Sequence, residues 1–144
     1  CYFRGDRVWV EEVIYRSGLT SNDLIKLMND IKVDKDKDIW VDAAAPTVVE
    51  DLKRAGYNAK SADKSVKEGI DMIKSKELYI NSESINLLSE MRRYQWKTKA
   101  EQIIYEPVKL HDDLCDSMRY GIWNYYRITK RYDDNDLDFE VVFM

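Results

Sequence analysis

Asp42 closes the short apolar run Ile39-Trp40-Val41 just ahead of a helix start, and Asp113 and Asp116 fall one turn apart near the beginning of the last long helix. A carboxylate at the carboxyl end of a strand, facing two more from a helix, supplies the oxygen donors that Mg²⁺ and Mn²⁺ take. The chemistry such a set performs is metal-assisted phosphodiester hydrolysis. Helical projection at 3.6 residues per turn places Asp113, Asp116 and Tyr120 on one flank of the apolar stripe and turns Asp112 and Arg119 toward solvent. The same residues have a plainer explanation. An Asp between a strand and a helix is a common turn or capping residue, and Asp112, Asp113 and Asp116 make the acidic first turn that a helix dipole favours.

Basic residues are unevenly spread. Lys64 and Lys67, with Lys60, surround the segment after one short strand, while Arg92, Arg93, Lys97 and Lys99 run from a helix end into a loop beside Tyr94 and Trp96. They read either as phosphate contacts flanking an acidic pocket or as solvated faces anchored by aromatic residues. Other chemistries find little here. His111, the only histidine, projects near the apolar stripe, and no zinc-ligand spacing exists. Cys115 falls toward the buried side of its helix without a base, Arg4-Gly5-Asp6 reads as a hairpin turn, and no glycine-rich phosphate loop supports an ATPase.

The elements that must position these groups alternate. Cys1-Tyr2-Phe3, the Arg4-Gly5-Asp6 turn and Val8 onward to Tyr15 predict a hairpin. Thr20 with Asp23 opens a helix carrying Leu24, Ile25, Leu27, Met28 and Ile31, and Ile39 to Asp42 follows as a strand. Pro46 suits the first turn of a helix that ends at Gly56, and a strand follows over Tyr57 to Lys60. Ser65 and Ser82 are candidate caps for helices to about Ser75 and Gln95, with Glu77 to Ile80 strand-like between them. Lys97 to Pro107 is a loop or small hairpin. A helix over about Val108 to Thr129 buries Leu110, Leu114, Met118, Ile122 and Tyr125. This order predicts an α/β fold, a sheet layered with helices, with Asp42 beyond a strand's carboxyl end where sites of open sheets form.

Bulk properties bound the reading. The 144 residues, 44% hydrophobic, fit one domain with a real core, and the formal net charge of −4 weighs against a surface that grips DNA everywhere. No long apolar run or signal-peptide pattern is visible, and two cysteines make no disulfide framework, so a reducing compartment is expected.

Several segments are similar, in order and spacing, to the carboxyl-terminal nuclease domain of tailed-phage large terminase subunits. They are Glu12 to Thr20, Val41-Asp42-Ala43-Ala44-Ala45-Pro46, Leu52 to Asn58, Ser65 to Ile70, Tyr94 to Lys97, and Asp113 to Tyr120 with Leu114, Cys115, Asp116, Ser117, Met118 and Arg119 between. The resemblance spans about residues 6 to 128, and its Glu12 to Thr20 part looks like a strand of that family. It implies an RNase H-like mixed sheet flanked by helices and a two-metal endonuclease, using Mg²⁺ or Mn²⁺, that cuts concatemeric double-stranded viral DNA during packaging. By that resemblance Asp42 matches a strand-end aspartate, Asp116 the helix aspartate, and Asp113 a position where relatives carry His or Asp. Lys64 or Lys67 then contacts the scissile strand.

The family's other catalytic aspartate lies on a strand upstream of the hairpin, so the resemblance implies one N-terminally truncated nuclease domain over 1–144, its first, central strand missing. Within the acidic tail over 130–144, Phe139 to Phe143 is a candidate extra strand, with Asp138 and Glu140 beside it. The partners implied are double-stranded DNA, the small terminase subunit and the portal or procapsid, with no membrane, in the host bacterial cytoplasm and transiently at the portal vertex. Two alternatives stay open: another RNase H-like nuclease of resolvase type, and a catalytically silent packaging or docking module.

Overall fold

A computed structural model describes residues 1–93, 96–99, 102–107, 112–129 and 142–143. In chain order the elements are β1 (Tyr2–Arg4), β2 (Arg7–Val10), α1 (Ser21–Asp30), β3 (Asp38–Val41), α2 (Pro46–Arg54), β4 (Asn58–Ser61) and α3 (Val66–Lys74). There follow β5 (Glu77–Ile80), α4 (Ile85–Arg93), β6 (Trp96–Lys99), β7 (Gln102–Pro107), α5 (Asp113–Thr129) and β8 (Val142–Phe143). The fold is mixed α/β with a mixed sheet flanked by helices.

Strands β1 and β2 form an antiparallel hairpin, and β5 adds to β2 in parallel, giving the order β1-β2-β5. The turn is Gly5-Asp6, and Gly5 at φ 57° takes the left-handed geometry a two-residue hairpin turn needs. A second sheet has the order β4-β3-β8, all parallel, with Ile39 opposite Val142 and Trp40 opposite Phe143. Thus β3 is paired on both sides. β6 and β7 form a separate antiparallel hairpin, where the sequence allowed a loop or a hairpin.

Local rules explain most boundaries. Thr20 and Asp23 make a reciprocal capping box at the start of α1, Pro46 opens α2, and Gly56 at φ 89° follows the end of α2. The strand expected to continue from Val10 to Tyr15, and the strand suggested over Glu12 to Thr20, are instead irregular. Glu12 supplies the reason. Its N–H donates to Ser84 Oγ at 2.9 Å, and its carboxylate accepts from the Leu87 N–H at 2.9 Å, which draws the chain off the sheet to cap α4. Accordingly α4 begins at Ile85, three residues beyond the cap expected at Ser82. Ser65 precedes α3 without capping it through its hydroxyl, which donates to Asp63 Oδ1 at 2.6 Å instead.

Two cores lie on opposite faces of the β4-β3-β8 sheet, and the period-2 alternation of β3 divides them. Ile39 and Val41 join Met28, Val49, Leu52, Tyr57 and Ala59 on the α1/α2 side. Trp40 faces the other way, into a core with Phe3, Val8, Val10, Leu87, Met118 and Ile122. Helix α5 contributes the centre of that second core, with Met118 and Ile122 buried as expected and Leu114 and Tyr125 partly buried. Leu110, His111 and most of the tail, including Asp138 and Glu140, lie outside the described residues.

Candidate active site

Asp42 stands one residue past β3, where the chain turns into α2. Its Oδ1 accepts the Ala44 N–H at 2.8 Å and its main-chain carbonyl accepts the Ala45 N–H at 2.9 Å, so the turn-forming role is real. The carboxylate does more than hold that turn. Oδ1 also meets the Lys64 ammonium at 2.8 Å, and Oδ2 receives the Tyr120 hydroxyl of α5 at 3.4 Å. Burial pushes the Asp42 carboxyl up, but the Ala44 N–H, the Lys64 ammonium and the Tyr120 hydroxyl together hold its pKa below the ordinary carboxylate value.

Asp116 approaches from α5. Its Oδ1 accepts from Arg119 Nη2 at 2.7 Å, one turn further along the helix. Tyr120 lies between the two acids. Burial first, then the charges of Asp116 and Asp42, push its phenol up to about 12, so it stays a neutral hydrogen-bond donor at physiological pH. Asp42 thus bonds the Tyr120 hydroxyl directly, while Asp116, one turn earlier on α5, acts on the same phenol through its charge.

Arg119 corrects the helical projection. Expected toward solvent, it is 3% exposed, and its guanidinium donates to the carbonyls of Lys64 at 3.2 Å and Ser65 at 3.1 Å as well as to Asp116. Gly69 of α3 makes the room. A Cβ there would sit 2.7 Å from Arg119 Cγ, so any side chain would push the arginine out. Asp112, also expected toward solvent, is buried at 8% exposure just ahead of α5.

The segment 62–65 between β4 and α3 is fastened to α5 along its length. Asn124 accepts the Asp63 N–H at 3.0 Å and donates back to its carbonyl at 3.1 Å, while Trp123 Nε1 donates to Asp63 Oδ1 at 3.1 Å. Arg119 holds the next two carbonyls, and the Ala62 N–H donates to Val41 O at 2.8 Å. Residues 119, 123 and 124 recur at helical spacing on one face of α5. They fix the main chain that carries Lys64 and leave its ammonium over Asp42.

Asp113 does not join this pair. It is exposed at the start of α5 and lines a groove of about 1120 Å³ with Trp9, Glu11, Tyr15, Arg16 and Asn81. Beside it at the start of α5 stands Glu90, a 4% exposed carboxylate on α4 whose Oε2 accepts the N–H groups of Leu114 at 2.8 Å and Cys115 at 3.1 Å. Sequence reading missed Glu90, which sits on the polar side of an ordinary amphipathic pattern. Lys67 is exposed on the first turn of α3, and Arg92 and Arg93 are exposed at the end of α4, where Arg93 bonds Ser89. Lys97 and Lys99 belong to β6, and their side chains lie outside the described residues.

Among the described residues no three His, Cys, Asp or Glu side chains form a ready metal cluster. Mg²⁺, however, is commonly held by one or two carboxylates completed by water and substrate phosphates. Asp42 and Asp116 fit that donor set. Their side chains are 41% and 20% exposed, so both carboxylates keep access to solvent, and in each the cation contact uses Oδ1.

No protein-family model matches the chain, and no curated protein does. A solved structure is similar: the large terminase from the thermophilic bacteriophage D6E, in complex with ATP-gamma-S, matches with a TM-score of 0.63 and 24% sequence identity over 72% of this chain. The match covers 28% of that protein, so this chain spans little more than a quarter of its length. The mixed α/β fold described above is thus shared with part of a phage large terminase.

Proposed function

We propose that the chain is the RNase H-like endonuclease part of a phage DNA-packaging terminase, hydrolysing phosphodiesters of concatemeric double-stranded viral DNA. The observation that carries this reading is the bond from Tyr120 of α5 to Asp42 at the end of β3, with Asp116 one turn before Tyr120 on the same helix and acting on its phenol through charge. Likeness of fold to part of a large terminase supports it. Bound Mg²⁺ or Mn²⁺ would supply an activated water and charge stabilisation of the leaving oxygen.

The chain's own residues have separable tasks. Asp42 and Asp116 would hold the cation, and Tyr120 orients Asp42 as a neutral donor. Arg119 fixes Asp116 and the 64–65 main chain together. Lys64 and Lys67 approach the phosphate backbone, and the Arg92, Arg93, Lys97 and Lys99 strip tracks it farther out. Asp113, at the groove rim one turn before Asp116, is an outer ligand on this reading. Duplex DNA, the small terminase subunit and the portal are the proposed partners, and the host cytoplasm with the portal vertex is the proposed place.

The test is Mn²⁺-dependent nicking of supercoiled plasmid, with Mn²⁺ binding measured alongside. Asp42→Asn and Asp116→Asn should each abolish cleavage and weaken Mn²⁺ binding while the circular dichroism spectrum is kept. Parental cleavage in either variant refutes the assignment.

A further inference from the structure

Two carboxylates of one site each carry a cation, and the two pairs differ sharply. Asp116 is bound at 2.7 Å by Arg119, whose side chain is 4% exposed and which is also bonded to two main-chain carbonyls. Asp42 is bound at 2.8 Å by Lys64 with side-chain exposures of 41% and 43%. Breaking the first pair strands a buried guanidinium; breaking the second returns two hydrated groups to water.

We propose that Lys64 is an exchangeable counter-cation. Its ammonium neutralises Asp42 until a divalent cation displaces it, and then turns to a phosphate oxygen of the bound DNA. The inference rests on the nuclease reading above and adds a regulation of that site.

Three features carry it. Asp42 Oδ1 is shared between the Ala44 N–H, which holds the turn, and the Lys64 ammonium, and of these two the ammonium is the group that can leave. Displacement is mild, because exposed ion pairs shift an equilibrium by no more than about fivefold. Meanwhile the Lys64 main chain cannot leave. Arg119 holds its carbonyl, and Asn124 and Trp123 hold the preceding residue, so a displaced ammonium pivots on its own flexible stem and stays over the site. A lysine suits this role because its compact charge rotates freely, whereas Arg119 is locked as a fork. The result is a site that exchanges one positive charge for two at Asp42 and frees the first to offset a phosphate.

The test measures Mn²⁺ affinity without DNA, by electron paramagnetic resonance of the free ion, and duplex affinity separately in Ca²⁺. Lys64→Met should bind Mn²⁺ about two- to tenfold tighter than the parent, since nothing has to be displaced and one repelling charge is gone. Its duplex affinity should fall. Lys64→Arg should recover duplex affinity and bind Mn²⁺ no better than the parent. Should Lys64→Met fail to fold, Lys64→Gln makes the same test. Mn²⁺ affinity unchanged or weakened in Lys64→Met, or in Lys64→Gln used in its place, overturns the exchange alone, provided Asp42→Asn still loses Mn²⁺. Equal Mn²⁺ binding by parent and Asp42→Asn, or none by the parent, overturns the metal reading and the exchange together.

Discussion

Replacing Gly69 with Ala tests whether Arg119 is held as described. Gly69 lies inside α3, where helix propensity alone makes Gly→Ala stabilising by about 1 kcal/mol. The added Cβ, however, would lie 2.7 Å from Arg119 Cγ and 3.0 Å from Cδ, against an ordinary carbon separation of about 3.5–4.0 Å. Those atoms are the stem of a side chain whose guanidinium makes hydrogen bonds of 2.7, 3.1 and 3.2 Å, so relief by roughly an ångström pulls the fork off its acceptors. Overpacking costs about 1–3 kcal/mol, and weakened bonds to a buried charge add about 1.5–3 kcal/mol for each one broken. Against the propensity gain, and with one such bond broken, the net should be a loss of about 1.5–5 kcal/mol. Urea unfolding followed by far-ultraviolet circular dichroism gives the midpoint and slope. Stabilisation by about 1 kcal/mol would show that Arg119 moves aside freely and does not hold Asp116 in place.

Other outcomes are expected from buried groups and from the basic strip. Burial is the main cause that raises the Glu90 carboxyl, so the native state binds its proton more tightly than the unfolded chain does; stability from this group is present at low pH and lost as pH rises through the raised pKa. Glu90→Gln, which keeps an acceptor for the α5 N–H groups, should therefore flatten the decline in stability as pH rises above the ordinary carboxylate range, and an unchanged pH profile argues against it. Burial pushes the Cys115 thiol up to about 12, so native protein at pH 8 should titrate one fast thiol, at Cys1, and the second only in denaturant; two fast equivalents contradict the burial. Replacing Arg92, Arg93, Lys97 and Lys99 with Ala should weaken duplex binding irrespective of sequence and lower the slope of log K against log salt by about 0.9 for each phosphate no longer neutralised. The same slope in parent and variant would return those residues to an ordinary solvated face.

What the sequence made legible follows from the range of each interaction. The capping box Thr20/Asp23, Pro46, Gly56 and the Gly5 turn are contacts within a few residues, and the structure has them where expected. The apolar run of β3 and the stripe of α5 likewise announced buried elements, though the division of β3 between two cores came from the structure. Errors arose where distant groups decide. Whether Arg119 turns inward depends on a missing side chain at Gly69 in another helix, and periodicity on α5 carries no trace of it. The β2 strand stops early because Glu12 is recruited by α4, a choice made 75 residues away. Asp42 and Asp116 were visible as strand-end and helix-flank acids. Asp63 and Glu90 were not, since a carboxylate that caps or clamps a distant element reads in sequence as one more polar residue.

The fastening of segment 62–65 also bears on the order of assembly. Its Asp63 N–H is satisfied by a side chain 61 residues later, on α5, and its two following carbonyls by Arg119, 55 and 54 residues away. In a chain where α5 has not yet docked, these main-chain groups have only water, and closing so long a loop costs entropy before any of the bonds repay it. The β3-α2-β4 unit can gather locally, with Ala62 already bonded to Val41. Lys64 takes its place over Asp42 only when α5 arrives. Folding of the last long helix and completion of the reactive geometry are therefore one event, and partially folded chains carry an exposed Asp42 in a turn with no partner acid beside it.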